Sequence, residues 1–145
     1  ELMEEWDHMA RVMYATVVEA KPYAREYLES LKASGAKLAV ATSLPPMLRE
    51  PAMKHVGIFD YFDDVVSVDD AGDVGKTEPD AASRLGIKPS DCTVFEDLLV
   101  GMRSAKSVGM HVWAMHDDSS DADWPEICDL ADGVMFDFHD APVIL

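Results

Sequence analysis

Cysteine is nearly absent: the 145 residues hold two, Cys92 and Cys128. Two isolated thiols make neither a disulfide framework nor a zinc-ligand pattern. Cys92 opens an apolar run and reads as an inert, buried thiol. Basic residues are scarce too, 12 against 28 acids, for a formal net charge of −16. Nucleic-acid grooves and anionic membrane surfaces select clustered Lys and Arg, so this balance argues against either as a partner. A solvated acidic surface explains most of the charge, and metal binding is compatible with it. No apolar run approaches the about 18 residues of a membrane span, and no signal peptide is read. A reduced, cytoplasmic setting is the expectation. The histidines (His8, His55, His111, His116, His139) show no ligand spacing, and His116, after a strand end, reads as a solvated loop residue. What remains is a globular composition, 48% hydrophobic, long enough for one domain with a real core.

Periodicity orders the chain. Leu2, Trp6, Met9, Met13 and Val17 recur at helical spacing, which predicts one amphipathic helix over Glu1 to Ala20 whose Met and Trp stripe is packing surface. Tyr23 to Ser34 predicts a second helix, buried through Tyr27, Leu28 and Leu31 and stopped by Gly35. Lys37 to Ala41 predicts a strand ended by Thr42-Ser43. Pro45 and Pro46 open a helix to about Val56. Val65 to Val68 is a further strand, Asp69 to Gly75 a loop, and the stretch after Lys76 a helix ending at Leu85-Gly86. Thr93-Val94-Phe95 is β-branched and aromatic, a buried strand that ends in Glu96-Asp97, with a helix from Leu98 to Val108 behind it. His111 to Met115 and Val134 to Phe136 are strands. Between them lie a polar loop, Asp117 to Asp123, and a short helix, Trp124 to Leu130. Alternating strands and helices imply an α/β fold with a mostly parallel, Rossmann-like sheet.

Three strand ends carry chemistry. Ligands of open α/β sheets bind at the C-terminal ends of the strands. Thr42 and Ser43 offer hydroxyls for a phosphate oxygen, Lys76 offers a point charge, and Glu96 and Asp97 offer carboxylates for Mg²⁺. Each has an ordinary reading as well: Thr42 a cap, Lys76 a surface lysine, Asp97 the N-cap of the next helix.

In this order the residues resemble the haloacid dehalogenase superfamily, in its β-phosphoglucomutase-like and sugar-phosphate phosphatase branch, from about Trp6 to the C-terminus. Ala41-Thr42-Ser43 resembles the family's second motif, whose hydroxyl binds the phosphoryl group. Gly75-Lys76-Thr77-Glu78-Pro79-Asp80 resembles the third, with its phosphate-binding lysine. Val94-Phe95-Glu96-Asp97, with Gly101 and the stretch Ala105 to Gly109, resembles the fourth, whose acids bind Mg²⁺. The resemblance implies a Mg²⁺-dependent phosphohydrolase, a phosphatase or phosphomutase of a small phosphorylated metabolite. It would work through a phospho-aspartyl intermediate, with Thr42 and Lys76 catalytic, Ser43 helping to bind phosphate, and Asp97 and Glu96 on the metal.

The departures carry equal weight. The family's first motif, Asp-x-Asp-Gly-Thr, supplies the nucleophile and does not occur in these 145 residues. Asp121-Ala122-Asp123 has the spacing but no strand before it and no Gly-Thr after it. The helix after Asp80 looks about one turn short, and Leu98 stands where the family carries a small hydroxyl residue. In the family's strand order the first strand lies between the second and the fourth. With strands about 4.8 Å apart, its loss opens a gap of roughly 9.6 Å between the neighbourhoods of Val40 and Val94. Residues 1–20 then read as a remnant helix of the family's helical cap without its partners, so that the stripe of Trp6, Met9 and Met13 has nothing obvious to pack on, and residues 21–145 as the core. The expectation is a portion of a longer protein; the alternative is a remnant whose sheet has rearranged. The 145 residues are expected to be inactive alone. A non-catalytic phosphate- or metal-binding module or subunit, with self-association over the Trp6 face, is a second reading. A receiver-like phospho-acceptor domain is a third, disfavoured because receivers place the acidic pair first and the lysine last.

Overall fold

Short β-branched runs form the strands, and each helix returns the chain so that the strands pair in parallel. The computed structural model describes residues 2–67 and 77–143. The order is α1 (Leu2–Thr16), α2 (Ala24–Ala33), β1 (Ala39–Thr42), α3 (Pro46–His55), β2 (Asp64–Ser67), α4 (Thr77–Leu85), β3 (Thr93–Glu96), α5 (Leu99–Ser107), β4 (His111–Met115), α6 (Trp124–Leu130) and β5 (Gly133–Met135). Gly35 stops α2 where expected and Gly57 closes the turn after α3; they sit at φ 86° and 74°, which a side chain would resist.

The strands form two parallel sheets, β1-β2 and β3-β4-β5. Val40 lies opposite Val65, Val94 opposite Val112, and Ala114 opposite Val134. Among the described residues neither β1 nor β3 pairs along its second edge. Burial records the same break. Parallel strands are normally covered on both faces, and β4, paired on both sides, buries Val112 and Ala114 completely. All four residues of β1 and all four of β3 are only half-buried. One helical layer spans both sheets: α4 packs on β1 and β2 and against α5, and α5 covers β3 and β4. Tyr27 of α2 adds a tie, edge-on to Phe95 at 5.6 Å, stacked on Phe138 at 5.8 Å, and donating to the Pro142 carbonyl at 2.6 Å. The main core gathers Met102 and Ala105 of α5, Val112 and Ala114 of β4, and Ile127 of α6.

Two aspartates fix strand starts in the same way. Asp63 Oδ2 accepts from the Leu38 amide at 2.8 Å, and Asp132 Oδ2 accepts from the Val112 amide at 2.7 Å; each returns its own amide to the same residue's carbonyl. These backbone donors, with Lys32 and Lys106 alongside, hold both carboxyls below the usual range.

Several expectations need correction. The first helix ends at Thr16, not Ala20, because the chain must leave the helix to enter Pro22. Its apolar stripe is uncovered, as expected of a helix without its partners: Trp6 is 61% exposed and Met9 59%. The helix lies against α3, and its half-buried positions are Ala10, Tyr14 and Ala15. Asp117 to Asp123 is no irregular loop. Residues Asp118–Asp123 form a 3-10 turn capped by the Asp117 carboxylate, which accepts from the Ser119 amide. The last strand starts one residue early, at Gly133, where a Cβ would lie 2.7 Å from the Trp113 ring. Cys92 precedes its strand and is half-buried; burial raises its thiol pKa. Val68 and the loop Asp69 to Gly75 lie outside the described residues. Among the described residues no helix is long and apolar enough to cross a membrane.

Candidate active site at the ends of β1 and β3

The chain leaves β3 at Glu96 and enters α5 after a two-residue turn. The N-cap position falls on Leu98, which has no side-chain oxygen for the unpaired amides of a helix start. Glu96 supplies it instead: its Oε1 accepts from the amides of Asp97 at 3.0 Å and Leu98 at 3.1 Å. The Asp97 carboxylate is therefore not the helix cap. Glu96 Oε2 lies over Gly101, where a Cβ would come within contact far shorter than any real one, so the glycine makes room for the carboxylate.

Burial pushes the Glu96 carboxyl up to about 7; the Leu98 and Asp97 amides oppose this and the adjacent Asp97 carboxylate adds to it. Glu78, in the first turn of α4, lies within hydrogen-bonding range of Glu96 and of Ser104 on α5, and burial raises its pKa too. The contact with Glu96 lowers the Glu78 carboxyl, against the larger effect of burial. Glu78 Oε2 is buried and has no hydrogen-bond partner. An orphaned buried oxygen, an acid held near neutrality and a side-chain cradle at Gly101 together make a carboxylate-rich turn. Its donor set fits a hard divalent cation such as Mg²⁺. The backbone of Asp97 is held from a third direction as well, since Ser120 Oγ donates to its carbonyl at 2.8 Å.

At the end of β1, Thr42 is half-buried and Ser43 exposed. Thr42 Oγ1 accepts from the Leu44 amide at 3.0 Å, so the ordinary capping reading describes part of its role. A hydroxyl that accepts one bond keeps its own proton to donate. The next helix starts with Pro45 at its N-cap, which adds no side-chain acceptor. Lys76 lies outside the described residues; the buried Thr77 follows it and opens α4. The structure thus joins Glu96 to Asp97 directly, and places Thr42 and Ser43 at a strand end of the other sheet. Two shallow concavities, about 340 and 460 Å³, run along α3 and its following turn and involve none of these residues.

His116 differs from its solvated-loop reading. Its Nε2 lies 2.9 Å from Asp121 Oδ1, and its ring packs on Trp124 and Phe136. Its nitrogen and the Asp118 and Asp121 carboxylates come within 4.8 Å of one another. Sequence reading passes over Glu78 and Ser120. Glu78 shares a helical face with Ala81 and Ala82, both buried, and an acid on an apolar face is a signal that could have found it. Ser120 sits in an acid- and serine-rich stretch with no such pattern.

Residues 2–109 match the family profile of the haloacid dehalogenase-like hydrolases. The chain is 33% identical over 114 residues to a putative phosphatase, YhcW, of Bacillus subtilis, covering 74% of this chain and 51% of that protein. It is 32% identical over 102 residues to a phosphorylated carbohydrates phosphatase of Thermotoga maritima, covering 68% and 47%. A crystal structure of a putative β-phosphoglucomutase from Thermotoga maritima superposes with a TM-score of 0.77 at 25% identity, over 90% of this chain and 61% of that one. The chain spans about half the length of the curated relatives it matches. On the profile match and these identities, the chain belongs to the haloacid dehalogenase-like hydrolase family.

Proposed function

We propose that these residues form the phosphate- and metal-holding part of a Mg²⁺-dependent phosphohydrolase acting on a small phosphorylated metabolite. The observation that carries this reading is the turn after β3, where Glu96 holds the amides of Asp97 and Leu98 and so relieves the Asp97 carboxylate of capping the helix. Asp97, with Glu96 beside it, holds the cation. Thr42, Ser43 and Lys76 hold the phosphoryl oxygens, the first two by hydroxyl donation and the third by charge. A bound Mg²⁺ would offset the charge on the transferring phosphoryl group. Relatives named as phosphatases, one of them of phosphorylated carbohydrates, favour a sugar phosphate as substrate class.

The nucleophile is an aspartate on a strand that seats between β1 and β3. Among the described residues, the unpaired second edges and the half-buried residues of both strands support this position. Its carboxylate attacks phosphorus in line, the leaving alcohol takes a proton, and water then hydrolyses the phospho-aspartate. Residues 1–20 belong to a helical cap and residues 21–145 to the core.

The test is phosphate release from a panel of sugar phosphates with Mg²⁺. The 145 residues alone should release none. The same residues joined to a strand bearing Asp-x-Asp-Gly-Thr should turn over, and D97N or K76A in that form should lose at least about a hundredfold in rate. Turnover by the 145 residues alone would remove the need for an added nucleophile. Full activity of D97N would remove the metal assignment.

A further inference from the structure

We infer that Ser120 is a positioning residue for the Asp97 turn. It stands 23 residues away in sequence, yet its hydroxyl donates to the Asp97 carbonyl at 2.8 Å. Its neighbours Asp118, Ser119 and Asp121 are exposed, whereas Ser120 is 4% exposed. A buried hydroxyl must be satisfied, so this bond is retained as long as the turn is folded.

The donor stands on a firm base. The Ser120 amide donates to the Asp117 carbonyl at 2.9 Å, and the Asp117 carboxylate takes both the amide and the hydroxyl of Ser119. One residue before that cap, the His116 amide donates to Met135 in β5 at 2.8 Å, which ties the turn to the sheet. Asp97 is thus held at both ends, its amide by Glu96 and its carbonyl by Ser120. Fixing both peptide planes leaves the Asp97 side chain its rotamers as the remaining freedom. Such preorganisation raises affinity by reducing what must be ordered on binding. The inference rests on the reading of Asp97 as a cation ligand.

The experiment is Mn²⁺ titration of the 145-residue chain by electron paramagnetic resonance, with thermal melts on each variant. D97N should abolish the specific binding phase. S120A should weaken Mn²⁺ about fivefold, the effect of one net hydrogen bond, and S120T, which keeps the hydroxyl, should bind within about twofold of the parent. Loss confined to S120A at temperatures far below its melting point separates positioning from a merely structural role. If S120A does not fold, S120C, of the same shape with a weak donor, is judged by the same fivefold criterion. Wild-type affinity in S120A, or in S120C where that is the variant read, alongside loss in D97N overturns the role of Ser120 alone. Unchanged binding in D97N, or no binding by the parent chain, overturns the metal assignment and this inference with it.

Discussion

Gly101 and Glu96 fit together as a hollow and its filling: an added Cβ on the glycine would overlap the Glu96 carboxylate. Gly101 is a buried residue of α5, so the clash has no open side to relax into. G101A should either push Glu96 off the Asp97 and Leu98 amides or shift α5 away from β3. The cost should be about 1–3 kcal/mol of unfolding free energy, the usual range for overpacking. Urea titration of the two proteins checks it. A glycine-to-alanine change in the middle of an ordinary exposed helix would instead stabilise by up to about 1 kcal/mol, so the sign of the effect decides.

That glycine was legible as part of a motif, but its reason was not. The strand before it, the helix behind it and the acids between them follow from β-branched and apolar patterning within ten or so residues. Local pattern of this kind places β4 and α6 to the residue. The partners that come from elsewhere in the chain were not legible. Ser120 reaches Asp97 across an intervening helix and strand, and Glu78 reaches Glu96 from the helix before them. The exposed stripe of α1 marks another limit of local pattern. Its spacing specifies which side is apolar, while whether anything covers that side is a matter of tertiary contact. The separation of β1 and β3 into two sheets, with both strands half-buried, is likewise a matter of tertiary arrangement.

Glu96 makes stability depend on pH in a direction opposite to the surface aspartates. Its carboxyl is raised from the ordinary 4.5 to about 7, so the folded chain holds a proton that the unfolded chain releases. The stability this contributes is complete below about pH 4.5 and is lost as the pH rises through about 7. Its upper bound is about 3.5 kcal/mol, at about 1.4 kcal/mol for each pH unit between the two values. Asp63, Asp117 and Asp132 are lowered by backbone and side-chain donors, so their contribution holds at neutral pH and fades as acid protonates them. Urea midpoints should therefore fall on both sides of a maximum in mildly acidic buffer. E96Q should flatten the alkaline limb and leave the acid limb in place. Mg²⁺ should raise the alkaline limb of the parent chain, because a cation stabilises the ionised carboxylate that alkali produces.

Trp6 and Met102 are both large and apolar, and the structure assigns them opposite weights. Met102 is fully buried among Ala105, Val112 and Ile127, whereas Trp6 is 61% exposed on α1. M102A should cost about 2–5 kcal/mol, the range for truncating a buried methionine. W6A should change stability by less than about 0.5 kcal/mol, as expected for a surface substitution. Urea denaturation of both variants at low protein concentration tests the pair. The same measurement repeated at high concentration reads the α1 face directly. If a second copy covers the stripe of Trp6, Met9 and Met13, the parent's midpoint rises with concentration and that of W6A does not, because association stabilises the folded state by mass action. Equal, concentration-independent midpoints would mean the stripe is solvent-exposed in this chain. The second reading, of a subunit completed by self-association, would then lose its support.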